Sequence, residues 1–250
     1  ECVKICDEID LEQQPTEKTI EVGAILLSTG FNPYEPKQGE FGYGEVDNVI
    51  TLQQFKRLIE LNPDKLIYQG KEIKNIAYIY CVGSRQVDGD NKYCSRYCCT
   101  SAIHTAILAK KKYKGINNFH FNRGIRTYGK QEKLYHEASE MGDIFMQSFE
   151  DSPTQVEKTG KETIVKINDI LTANEELEVS ADLVVLVTGM TPRENADIIN
   201  LLKVPVGRDK FFNEIHPKLR PVETVIDGVL ISGACQAPLN ISESVKSALA

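Results

Sequence analysis

The sequence predicts an α/β fold with mostly parallel sheets in three layers. Two apolar runs, at 24–30 and 183–189, both end in Thr-Gly. Between them, strand-like and helix-like stretches alternate, a pattern that implies right-handed crossovers and a parallel sheet. At 250 residues the chain has length for one large domain or two modest ones.

The first run, Ile20 to Gly30, starts with alternation and ends continuously apolar, as for a strand buried on both faces. The Gly- and Pro-bearing stretch 31–48 reads as loop. Thr51 to Leu61 has helical spacing, through Leu52, Phe55, Leu58 and Ile59, with Thr51 as cap. A second unit begins near Lys74, with a strand at 75–80 and a helix at 100–112. A short strand through Asn117, Phe119 and Phe121, a helix at 131–141 and a strand at 143–149 follow. Thr163 to Ile167 reads as a surface strand, and 183–189 as the second buried one. The last segment carries a helix (195–202), a strand (228–232) and a final helix capped near Asn240. This is the layout of one dinucleotide-binding unit interrupted by another of similar build, two interleaved Rossmann-like domains.

Composition narrows the function classes. Hydrophobic content of 41% and charged content of 26% are ordinary for a soluble globular protein. A net charge of −7 argues against a nucleic-acid surface. No apolar stretch approaches the roughly 20 residues that cross a bilayer, and no secretory signal is evident. Seven cysteines, an odd number in a chain this long, suit a reducing cytoplasm better than a disulfide framework. The chain starts at Glu1 within a Cys2–Cys6 pair and stops at Ala250 in an apparent helix. It therefore reads as a piece of a larger polypeptide.

Four of the cysteines, Cys81, Cys94, Cys98 and Cys99, fall within nineteen positions between a strand and a helix. If 94–107 is helical, Cys94 and Cys98 share a face and Cys99 lies about 100° round. A helix N-terminus favours thiolates, and Gly83 and Gly89 let the intervening loop fold back. Four Cys ligands serve a [4Fe–4S] or [2Fe–2S] cluster, and equally a structural zinc. The spacing C-x12-C-x3-C-C matches neither a C-x2-C zinc knuckle nor a C-x2-C redox pair. The G-x-G-x-x-G fingerprint expected of such a strand–loop–helix unit is missing. A metal cluster is therefore expected where a nicotinamide nucleotide would otherwise dock.

Other candidates carry less chemistry. Cys2 and Cys6 suit the last ligands of a cluster whose other cysteines lie upstream. Cys235 is expected to pack near a cofactor. Arg123 and Arg126 read as solvated surface arginines, and His104, His120, His136 and His216 form no triad or ligand pattern.

At GAILLSTGF (23–31), YGEVDNVIT (43–51), CVGSR (81–85), CSRYCC (94–99), RTYGK (126–130), LVVLVTGM (183–190) and GACQAP (233–238), the chain resembles the flavin-bearing A subunit of CoB–CoM heterodisulfide reductase and its bacterial relatives. The resemblance implies a thioredoxin-reductase-like architecture. Residues 1–19 would be the tail of a ferredoxin-like iron–sulfur element, and 20–73 with 190–250 a partial FAD-binding domain. Residues 74–189 would be the Rossmann-like domain carrying the cluster. It implies a [4Fe–4S] cluster on Cys81, Cys94, Cys98 and Cys99, and an FAD site lined by Thr29, Gly30, Thr188, Gly189, Gly233, Ala234 and Cys235. Asn240, Ile241 and Ser242 would offer backbone N–H groups to the flavin ring. Position 234 is Ala where many related flavoproteins carry an Asp for the ribityl chain. The implied role is electron transfer between FAD and the cluster, extending in the family to flavin-based bifurcation. The implied setting is a cytoplasmic hetero-oligomer with other heterodisulfide-reductase-type subunits and a hydrogenase or formate dehydrogenase module. A zinc-stapled scaffold and a pyridine-nucleotide:disulfide oxidoreductase are the alternatives.

Overall fold

The computed structural model describes residues 10–160 and 162–250, so Cys2 and Cys6 lie outside the described residues. In chain order, strands β1 (Ile25–Leu27), β2 (Phe31–Pro33) and β3 (Val49–Thr51) lead into helix α1 (Leu52–Leu61). A short hairpin, β4 (Ile67–Tyr68) and β5 (Lys71–Glu72), precedes β6 (Asn75–Val82), α2 (Cys98–Lys112), β7 (Asn117–Asn122), α3 (Glu132–Glu140) and β8 (Ile144–Gln147). Next come β9 (Gln155–Thr159), β10 (Glu162–Asp169), β11 (Glu175–Ala181) and β12 (Leu183–Thr188). The chain closes with β13 (Met190–Pro192), α4 (Ala196–Leu202), β14 (Val229–Ile231) and α5 (Ile241–Leu249).

The central sheet has five parallel strands in the order β3-β12-β6-β7-β8. Every residue of β12 is buried, and so is β6 from Ile76 onward, which is why both read as apolar runs. Side-chain alternation still divides them between two cores. Ile76, Tyr78 and Tyr80, with Leu183, Val185 and Val187, pack under α1 and α2. Ala77, Ile79, Val184 and Leu186 face Val165, Ile167 and Ala181 of an antiparallel sheet, β11-β10-β9, on the other side. Helices, parallel sheet and antiparallel sheet make the three layers.

Local signals set the helix starts. Thr51 Oγ1 accepts from the Gln54 N–H at 3.3 Å while Gln54 Oε1 accepts from the Thr51 N–H at 2.7 Å, a capping box on α1. Asn240 and Glu243 form the same box on α5. Three lysines in the last turn of α2 complement its dipole.

Outside the central sheet, β1 pairs in parallel with β14, and β2 pairs antiparallel with β13. The expectation that 24–30 forms a strand buried on both faces is corrected. Only Ile25–Leu27 is strand, Leu26 is 57% exposed, and Leu27 alone is buried. β1 has a single strand partner, so its apolar residues have less to pack against. Residues 49–61, read with the flanking unit from sequence, belong by pairing and packing to the central sheet. Among the described residues, no helix is long and apolar enough to cross a membrane.

Candidate metal centre and cofactor cleft

β6 ends in a tight reversal that carries the first cysteine. Cys81 itself has φ 63, a left-handed conformation that non-glycine residues seldom adopt. Gly83 follows at φ 69, and a Cβ there would lie 1.9 Å from the Tyr34 ring, so only glycine fits. The chain then folds back on itself. The Arg85 N–H donates to the Tyr93 carbonyl at 2.8 Å and the Gln86 N–H to the Asn91 carbonyl at 3.1 Å. That ladder returns Cys94 to the end of β6.

Cys94 does not lie on α2. Arg96, at φ 59, breaks the helical path, and α2 begins at Cys98. The expected one-turn stacking of Cys94 on Cys98 is therefore corrected: Cys94 comes from the loop and is half-buried, while Cys81, Cys98 and Cys99 are buried.

Cys81 and Cys98 each feel the charges of Cys99 and Cys94. Cys99 is pulled down to about 7, chiefly by the Cys98 thiol donating to it. Burial opposes this, and the Arg126 N–H and the charges of Arg85 and Arg126 assist. Cys98, as the donor, is pushed up, and burial raises it further. Burial also raises Cys81, joined by the charge of Cys99 and opposed by Arg123 and Arg85. The Arg96 N–H donates to Cys94 Sγ at 3.4 Å, and Arg85 Nη1 lies 4.0 Å from Cys81 Sγ.

Among the described residues, no group of three His, Cys, Asp or Glu is drawn close enough to hold one metal ion. The thiols of Cys81, Cys98 and Cys99 are electrostatically coupled all the same. Ser84 Oγ, buried beside this loop, has no hydrogen-bond partner among the described residues. N–H donors, nearby cations and an unpartnered hydroxyl suit the residues to a cluster of net negative charge.

Sequence reasoning undervalued the arginines. Arg123 is half-buried rather than solvated, and its Nη2 donates to the Ser84 carbonyl at 3.0 Å. Arg85 Nη1 donates to the Arg123 carbonyl at 2.6 Å, and Arg85 also pairs with Glu150. Arg126 is exposed, as expected.

A cleft of about 810 Å³ opens beyond the carboxyl ends of β1 and β14, where nucleotide cofactors bind in such folds. Ser28, Gly30 and Phe31 line one part, and Ser232, Gly233 and Ala234 another. Asn240, Ile241 and Ser242 present the N-terminus of α5. The opposite wall is α2 itself, through Thr100, Ser101 and His104, with Tyr97 just before it.

Of the expected flavin residues, Gly30, Gly233, Ala234, Asn240, Ile241 and Ser242 converge on this cleft. Thr29 lies between two lining residues, and its Oγ1 is buried without a partner among the described residues, so a ligand hydroxyl or amide fits there. Cys235 is buried beneath, its Sγ donating to the carbonyls of Ser232 at 3.1 Å and Leu27 at 3.3 Å. Thr188 and Gly189 lie elsewhere. Thr188 Oγ1 donates to Gln53 at 3.1 Å, and Gly189 packs on Ser84 and Ser95 in the cysteine loop.

His120 does form a polar cluster, against the sequence-based expectation. Its Nδ1 meets the Tyr80 hydroxyl at 2.8 Å and its Nε2 meets Asp143 at 3.1 Å, while Lys110 Nζ binds the same carboxylate at 2.9 Å. The partners are 23 to 40 residues apart, so no local pattern announces them.

No model of a known protein family matches the sequence. Similar curated proteins include, from Methanopyrus kandleri, the second of two iron–sulfur A subunits of CoB–CoM heterodisulfide reductase. It is 39% identical over 250 residues, covering 96% of this chain and 38% of that protein. The A subunit of the H2/formate:CoB–CoM heterodisulfide,ferredoxin reductase of Methanococcus maripaludis is 36% identical, over 95% of this chain and 37% of its own. The chain thus spans under two fifths of the length of these relatives. Among solved structures, Lactococcus lactis thioredoxin reductase superposes with a TM-score of 0.53 at 17% identity, covering 90% of this chain and 62% of that one. The thioredoxin reductase of T. acidophilum gives 0.51 at 14% identity over the same shares. These likenesses fix the fold as thioredoxin-reductase-like. By sequence, the chain is a relative of the A subunits of CoB–CoM heterodisulfide reductase, matched over one segment of their length.

Proposed function

We propose that this chain is the electron-transferring part of an iron–sulfur flavoprotein of the heterodisulfide-reductase type, an oxidoreductase. Cys81, Cys94, Cys98 and Cys99 would hold a [4Fe–4S] cluster, and FAD would lie in the 810 Å³ cleft. The observation that carries this reading is the double use of α2. Its first turn sets Cys98 and Cys99 in the same buried cluster as Cys81, while Tyr97, Thr100 and Ser101 line the cleft. Residues three apart on a helix have Cβ atoms about 5–6 Å apart, so one turn of chain separates the two sites.

The flavin would supply exchange between two-electron and one-electron chemistry, and the cluster a one-electron relay. The chain's own residues do the rest. Arg85 and Arg123 offset negative charge at Cys81, and the N–H groups of Arg96 and Arg126 stabilise sulfur at Cys94 and Cys99. Thr29 Oγ1, Gly233 and the Asn240–Ser242 turn would fix the flavin's position. No acid or base need be assigned, since the cofactors carry the chemistry. The relatives' names refer to H2, formate and ferredoxin, which supports partner subunits of a hydrogenase or formate dehydrogenase module in a hetero-oligomer.

Anaerobic isolation followed by iron, sulfide, zinc and flavin analysis, with EPR of the reduced protein, tests the proposal. Iron with acid-labile sulfide and bound flavin is expected, and Cys98→Ser should abolish the cluster signal. Stoichiometric zinc without iron would establish the scaffold alternative instead.

A further inference from the structure

Arg96 meets the cysteine centre directly and, through its side chain, the helix that lines the cleft. Its backbone N–H donates to Cys94 Sγ at 3.4 Å. Its guanidinium Nη2 donates to Glu243 Oε1 at 2.6 Å and to the Tyr128 hydroxyl at 3.1 Å, with the Tyr128 ring 5.4 Å away beneath the cation. Glu243 stands in the first turn of α5, the helix whose N-terminus lines the cleft. Its other oxygen, Oε2, accepts from the Asn240 N–H at 2.9 Å. A continuous chain of contacts therefore runs from a cysteine sulfur to the cleft wall through two residues 147 positions apart.

The backbone at Arg96 gives this chain of contacts a second support. A non-glycine residue at φ 59 persists where its surroundings over-determine it. Here the surroundings are a sulfur on one side and a carboxylate on the other. The Arg96–Glu243 pair is only partly exposed, at 42% and 24% of the side chains, so water screens it incompletely.

We propose that Arg96 is a positioning residue that couples the cysteine centre to the cofactor cleft through Glu243, so that the charge of each site biases the other. The proposal rests on the functional reading above. The Arg96 backbone meets Cys94 while Glu243 stands in the first turn of α5, and cation and carboxylate together are nearly neutral. Removing either one leaves a single uncompensated charge between the sites. By linkage, any such bias acts equally in both directions.

The test is a redox titration of the full chain, isolated anaerobically with its cofactors, as wild type, Arg96→Gln, Glu243→Gln and Arg96→Lys. Flavin is followed by absorbance and the cluster by EPR. Arg96→Gln bares a negative charge and is expected to lower both midpoint potentials. Glu243→Gln bares a positive charge and should raise both, while Arg96→Lys should restore near wild-type values. A purely structural tie would move both Gln variants the same way, so opposite signs identify electrostatic coupling. Shifts of the same sign, a shift at one site only, or no shift would overturn the proposal. If Arg96→Gln does not fold, the rise expected for Glu243→Gln at both sites decides alone. Wild-type protein lacking flavin or cluster refutes the functional reading itself and this proposal with it, a result distinct from a loaded protein with unmoved potentials.

Discussion

The Ser95 hydroxyl, fully buried between Cys94 and Arg96, accepts a hydrogen bond from the Met190 N–H at 2.8 Å. This ties the cysteine loop to the first residue of β13. Gly189, one residue earlier, leaves the room: a Cβ there would lie 2.5 Å from Ser95 Oγ and 2.9 Å from Ser84 Cβ. Gly189→Ala should therefore displace the loop and lower iron content per chain, as measured by metal analysis. Ser95→Ala should cost about 1–3 kcal/mol in denaturant unfolding, because a buried N–H loses its acceptor.

A different glycine tests how the first cysteine is held. Gly83→Ala puts a methyl into the Tyr34 ring at a left-handed φ of 69, and should prevent assembly of the cysteine loop. Adding Tyr34→Ala removes the clash but not the backbone strain. The double variant should recover folding, with a residual loss of about 1–2 kcal/mol for the left-handed backbone on top of the cost of Tyr34→Ala alone, read from unfolding midpoints. Equal stability of the single and double variants would show that Tyr34 is not the obstacle.

Thr29→Val separates ligand binding from stability. Because Thr29 Oγ1 is buried with no partner among the described residues, replacing it with a methyl should leave the flavin-free protein as stable or slightly more so. Flavin should bind more weakly by about 0.5–1.5 kcal/mol, roughly two- to twelvefold in Kd by equilibrium titration. Unchanged flavin affinity would remove Thr29 from the site.

His120 gives a pH dependence of known sign. Burial lowers its pKa below the ordinary 6.5, and Asp143 only partly opposes that. Tyr80, Tyr78, Asp143 and Lys110 are the titratable groups that face it. The unfolded chain therefore takes up a proton first, so this contribution is intact above about 6.5 and declines as the pH falls below it. His120→Phe keeps a ring between Tyr78 and Phe145, which stack on it at 4.9 and 4.3 Å, and should flatten that decline. Unfolding midpoints at about pH 7.5 and about pH 5.5 measure it. Asp143→Ala strands the mostly buried Lys110 cation and should cost about 3–5 kcal/mol.

The sequence made legible those features whose causes are local. β12 and β6 read as buried strands because every residue of Leu183–Thr188, and of Ile76–Val82, meets a core. Thr51 announced the start of α1, and Asn240 that of α5. The grouping of Cys81, Cys94, Cys98 and Cys99 within one stretch was visible from composition and spacing alone.

What was missed depends on distant pairing or on single dihedral angles. An apolar stretch such as Ile25–Leu27 looks the same whether two layers cover it or one strand does. Arg96 gives no local sign that it will adopt φ 59 and drop Cys94 out of the helix. Arg123 became a support of the cysteine loop only when β7 was laid beside β6. The same pairing brought His120 next to Tyr80.

The pairing of β2 with β13 bears on how the cleft is joined to the central sheet. The chain leaves the β1–β14 pair for the central sheet through Phe31–Pro33 and returns through Met190–Pro192, and these two connections lie paired side by side, Met190 against Pro33 and Pro192 against Phe31. Two passages of chain 159 positions apart thus act as one seam, and a displacement of either is felt by the other.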